Sequence, residues 1–87
     1  MKREVAIVNK LGLHARAAAK LVKEASGFAA EVTLHRGAQA ANAKSIMSVM
    51  MLASCGTVIE VEAEGADAEA ALDALEALIQ DRFGEPE

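Results

Sequence analysis

The run Gly12-Leu13-His14-Ala15-Arg16 holds the residues best suited to chemistry. An apolar, strand-like opening stretch gives way here to an Ala-rich helical pattern, and a histidine stands at the junction. Helix starts usually select Ser, Thr, Asp or Asn for this position. The first turn of a helix presents unpaired N–H groups and a partial positive charge, so an imidazole held there has an anion site beside it. The same field favours a neutral ring with a nucleophilic nitrogen. His14 therefore reads as a phosphoryl acceptor, with Arg16 and the helix N-terminus taking the charge of the attached group. Gly12 would allow a tight turn just before the site. The plainer alternatives are a partly buried junction histidine, a solvated arginine and an ordinary loop glycine.

These residues need a scaffold, and the hydrophobic pattern supplies one. Residues 3–8 alternate imperfectly with Val5 and Ile7 on one side, predicting a first strand. Ala15, Ala18, Ala19, Val22 and Ala25 recur at helical spacing, and Gly27 suits a left-handed stop after Ser26. Residues 31–35 alternate with Val32 and Leu34 inward, and 39–42 can return as a hairpin partner. Ser45 is placed to cap a short helix through Ile46, Met47, Val49, Met50 and Met51, which is too apolar all round for one buried face. Residues 58–64 put Ile59, Val61 and Ala63 on one face and Glu60, Glu62 and Glu64 on the other. Asp67 is the expected N-cap of a last helix carrying Ala71, Leu72, Leu75, Leu78, Ile79 and Phe83, with Glu69 in its first turn.

The order is βαββαβα in an α+β chain. One wet sheet face implies an open-faced β-sandwich, with a four-stranded antiparallel sheet and three helices on one face. The expectation is a single domain over 1–87 with a frayed tail at 84–87. Nine basic and thirteen acidic residues give a net charge of −4, which weighs against a broad nucleic-acid or acidic-membrane footprint. Two aromatics and an acidic sheet face also weigh against RNA stacking. No run approaches the length of a membrane span, and the single Cys55 cannot form an internal disulfide, so a reducing, cytoplasmic setting is expected. His35 reads as a surface residue, Cys55 as a loop or packing residue, and Lys20, Lys23 and Lys44 as solvated charges able to form a basic rim. No metal-ligand spacing involves His14, and no cofactor is expected.

Three segments together, Gly12-Leu13-His14-Ala15-Arg16-Ala17-Ala18, Asn42-Ala43-Lys44-Ser45-Ile46-Met47 and Ala63-Glu64-Gly65, resemble the HPr family of phosphocarrier proteins across essentially the whole chain. The resemblance implies that His14 takes a phosphoryl group on Nδ1 from phosphorylated enzyme I, itself charged by phosphoenolpyruvate. It further implies transfer to a histidine of an enzyme IIA-type protein, with Arg16 and the backbone at Ala15 and Ala17 on the phosphate side. Such a protein is a monomeric carrier and not a turnover enzyme, in sugar uptake or in the related nitrogen-regulatory (NPr) branch. Ser45 matches the family's regulatory serine, the target of an HPr kinase/phosphorylase where one exists. Ile46, Met47, Met50 and Met51 match its docking surface, with Met47 and Met51 expected to face outward. Ala17 departs from the family's usual proline, and residues 52–56 are one residue shorter than the family loop. An alternative from another class is a regulatory interaction module whose switch is phosphorylation of Ser45.

Overall fold

In the computed structural model, which describes residues 1–52 and 56–86, the strands are β1 (Lys2–Ala6), β2 (Glu31–Arg36), β3 (Gln39–Asn42) and β4 (Val58–Glu64). The helices are α1 (Ala15–Ser26), α2 (Ile46–Met50) and α3 (Ala68–Gln80), followed by a 3-10 turn over Arg82–Gly84. The sheet order is β1-β4-β2-β3 with every neighbouring pair antiparallel. Because β1 and β2 both run against β4, they are parallel to each other, and α1 forms the crossover between them.

Alternation along the strands builds one buried face. Val5, Val32, Leu34, Ile59, Val61 and Ala63 point into the core with Ile7, while Glu31, Glu60, Glu62 and Glu64 stay at least partly in contact with solvent. The helices close this face with Ala17, Ala18, Leu21 and Ala25 from α1 and Ala68, Ala71, Leu72, Leu75 and Ile79 from α3. On the open face Glu62 accepts from His35 Nε2 at 2.8 Å, and that hydrogen bond holds the Glu62 carboxyl below its ordinary range. No helix among the described residues is long and apolar enough to cross a membrane.

Several sequence expectations shift in detail. The buried stripe of α1 runs through Ala17, Ala18, Leu21 and Ala25, leaving Ala15 and Ala19 exposed. Gly27 has φ −75°, so the helix stops without a left-handed residue, and its N–H bonds back to the last turn. The first strand ends at Ala6, and Phe83 lies beyond α3 in the 3-10 turn. Asp67 occupies the N-cap position but turns its carboxylate to the N–H groups of Ala29 and Ala30, both at 2.8 Å. It thereby ties the α1–β2 loop to the start of α3. Lys20 and Lys44 are anchored to backbone carbonyls of Phe83 and Phe28 at 2.5 and 2.9 Å, not simply solvated. The tail expected to fray at 84–87 is tied down at its start, with Gly84 inside the 3-10 turn and Glu85 hydrogen-bonded. Cys55 and Glu87 lie outside the described residues.

Candidate functional site

A closed turn delivers the chain to α1. Gly12 donates its N–H to the Asn9 carbonyl at 3.1 Å, and Asn9 Nδ2 donates back to the Gly12 carbonyl at 2.8 Å. Gly12 has φ +66°, a left-handed value that glycine takes without steric cost. Leu13 then drops into the core and His14 reaches the helix start.

His14 is the N-cap. Its backbone is extended (φ −72°, ψ 176°), its carbonyl accepts the first helical bond from Ala18 N–H at 2.8 Å, and its Nδ1 accepts from Arg16 N–H at 3.3 Å. The imidazole thus does what a Ser or Asp oxygen does at other helix starts. Accepting that bond requires a lone pair on Nδ1. The other ring nitrogen, Nε2, is hydrogen-bonded to Glu85 Oε2. Burial works against ionisation of Glu85, yet bonds from Asn9 Nδ2, at 3.0 Å, and from His14, helped by the Lys20 charge, hold its carboxyl below the usual range. An ionised carboxylate only accepts, so Nε2 carries the proton. Both sides of the ring assign the same tautomer, with unprotonated Nδ1 turned to the positive end of α1.

Glu85 reaches this position because the chain doubles back after α3. Arg82 and Phe83 both adopt left-handed backbone (φ +54° and +55°), the Phe83 ring is buried, and Lys20 Nζ clasps its carbonyl. A cleft of about 350 Å³ is lined by Lys10, Leu11, Arg16, Glu85 and Pro86. Arg16 lines this cleft, and its guanidinium makes no hydrogen bond or ion pair among the described residues.

Ala15 and Arg16 are exposed at the helix start, whereas Ala17 is completely buried, so the fold uses Ala17 for packing. Ser45 is the N-cap residue of α2, but its hydroxyl donates to Ser48 Oγ at 3.2 Å and makes no cap bond to the helix backbone. On α2, which packs against α1, only Val49 is buried. Met47 and Met51 are 73% and 80% exposed, and Ile46 and Met50 are partly exposed, forming an apolar patch. Among the described residues no group of three or more His, Cys, Asp or Glu side chains could hold a metal ion. Sequence reasoning missed Glu85 and Asn9. Glu85 lies 71 residues from His14 in the chain, and Asn9 acts through Glu85 and the Gly12 carbonyl; the one hint was an aromatic just before the tail, able to anchor it.

A family model described as the PTS HPr component phosphorylation site matches residues 1–81. The chain is 50% identical to phosphocarrier protein HPr of Cupriavidus necator, covering 100% of this chain and 99% of that one. It is 48% identical to phosphocarrier protein NPr of Shewanella violacea over 98% of this chain and 94% of the relative. The crystal structure of HPr-C-His from Thermoanaerobacter tengcongensis superposes with a TM-score of 0.95 at 43% identity, over 100% of this chain and 99% of that one.

Proposed function

Since the chain belongs to the HPr family, whose members carry phosphoryl groups in the phosphotransferase system, we propose that His14 is its phosphoryl acceptor and that Nδ1 is the atom that bonds to phosphorus. The observation that carries this reading is how the ring is held, with Nδ1 accepting from the Arg16 N–H and Nε2 meeting Glu85. Nδ1 holds its lone pair at the N-terminus of a twelve-residue helix, with the Arg16 N–H beside it. When Nδ1 attacks phosphorus, that N–H loses its acceptor and becomes available to a phosphoryl oxygen. The Ala15 N–H and the Arg16 guanidinium add further donors. Ala17, enclosed in the core, serves to seat the helix.

The partners are phosphotransferase-system proteins. In our reading the donor is enzyme I and the acceptor an enzyme IIA-type protein. Both meet a monomeric, single-domain carrier in the cytoplasm through the Ile46, Met47, Met50 and Met51 patch. Two successive partners require an exposed site that holds the phosphoryl group without trapping it, which a helix-start histidine satisfies better than an enclosed cleft. Ser45, at the start of that patch, is where an HPr kinase would add charge and weaken acidic partners. The family match favours the carrier over a module that works through Ser45 alone. Relatives of the HPr and NPr kinds match almost equally well, at 50% and 48% identity, so identity does not choose between the sugar and nitrogen branches.

The test is direct. With enzyme I and phosphoenolpyruvate, the wild-type protein should acquire one acid-labile phosphate and His14→Ala none. Absence of label on the wild type, or undiminished label on His14→Ala, would refute the assignment.

A further inference from the structure

We propose that Glu85 is a positioning residue for phosphoryl transfer, a carboxylate that holds the proton on His14 Nε2 before and after Nδ1 is phosphorylated. This rests on His14 being the acceptor. The carboxylate is itself held in place: only 11% of its side chain is exposed, Oε1 accepts from buried Asn9 at 3.0 Å, and Oε2 meets His14 Nε2. Asn9 is fully buried and is fixed in turn by its bond to the Gly12 carbonyl. The turn that delivers His14 and the strap that delivers Glu85 are therefore joined through one amide.

The chemistry gives this contact a use. In the transfer step the Nδ1 lone pair forms the N–P bond, the bond from phosphorus to the donor atom breaks, and its electron pair leaves with the donor. The proton on Nε2 stays where it is, so the product ring carries a positive charge. Glu85 faces that charge at the nitrogen opposite the phosphoryl group. It also keeps Nδ1 from being the protonated nitrogen beforehand. A phosphorylated ring that remains an imidazolium is the better leaving group for onward transfer, so the same contact serves donation and acceptance.

The experiment compares full-length wild type, Glu85→Gln and Glu85→Ala, with circular dichroism establishing that each is folded. In wild type the Nε2-bound proton should give a downfield, slowly exchanging resonance in ¹⁵N-resolved NMR of the His14 ring, and the resonance should persist after phosphorylation. In both variants phosphoryl acceptance from enzyme I should slow roughly tenfold to a hundredfold, as when a carboxylate orienting a functional imidazole is lost. Wild-type rates in both variants, or absence of the resonance from the phosphorylated wild type, would overturn the role of Glu85 while leaving His14 as acceptor. A wild type that does not label at all refutes the His14 assignment itself.

Discussion

Phe83→Ala tests whether the strap after α3 works as part of the site, because it perturbs the support of Glu85 without touching His14, Arg16 or Glu85. The Phe83 ring is 1% exposed and joins the central core, yet its backbone and that of Arg82 lie in the left-handed region. Each such residue costs about 1–2 kcal/mol, which the buried ring and the Lys20 bond to the Phe83 carbonyl must offset. Truncating a buried phenylalanine to alanine removes about 3–5 kcal/mol. A chain of 87 residues has about 4–13 kcal/mol of total stability at roughly 0.05–0.15 kcal/mol per residue. That loss takes a large share of the total, so Phe83→Leu, which leaves most of the buried apolar volume in place, gives a sturdier companion. Urea unfolding followed by circular dichroism measures the loss. Phosphoryl acceptance, timed where each variant is shown to be folded, measures the consequence for the site. With the strap loosened, Phe83→Ala should slow to about the rate of Glu85→Ala, and Phe83→Leu should fall between it and wild type. A folded Phe83→Ala that accepts phosphate at the wild-type rate would refute the link from Phe83 through Glu85 to His14.

Gly65→Ala should be strongly destabilising, since at φ +142° its Cβ would lie 2.9 Å from Ala30 Cα. Backbone strain of about 1–3 kcal/mol and a backbone clash of similar size should lower the melting temperature by about 10 °C or more, and a fall of only a degree or two would contradict the close approach. The Asp67 carboxyl is held below its ordinary value of 3.8, chiefly by the Ala29 N–H and against the cost of burial. A depressed folded value gives stability that is fully present above 3.8 and lost as pH falls from there through the lower folded value. Asp67→Asn should therefore melt lower at neutral pH and show a shallower acid limb, and parallel acid limbs would refute this. Met51→Glu, at a side chain 80% exposed, should change stability by no more than about 0.5 kcal/mol and weaken enzyme I binding about tenfold. Unchanged affinity in a titration would remove Met51 from the docking patch.

Local pattern carried much of the architecture. Period-two runs around Val32, Leu34, Ile59, Val61 and Ala63 marked strands because only that face could be buried, and the excess of apolar residues around Met47 and Met51 marked a helix that no single core contact could cover. His14 was legible because helix starts usually select Ser, Thr, Asp or Asn, although its Nδ1 does take the capping bond from the Arg16 N–H. Patterns read less well where neighbours in space set the outcome. Asp67 left its own helix to bind Ala29 and Ala30, and Lys20 reached the Phe83 carbonyl, since satisfying buried or half-buried polar groups depends on what lies across the fold.

By itself the sequence determined the element order, the inward face of each strand, and the pairing of a nucleophilic ring with a helix start and a nearby arginine. These follow from the spacing of residues along the chain and from the field of the helix to which they belong. Tertiary structure alone decided which nitrogen of His14 keeps its proton. That choice rests on Arg16 N–H at one side of the ring and Glu85 at the other, and Glu85 arrives only because Phe83 is buried and the chain turns left-handed behind it. A bond between residues 71 positions apart leaves no periodic trace in the sequence, so only the fold could make it.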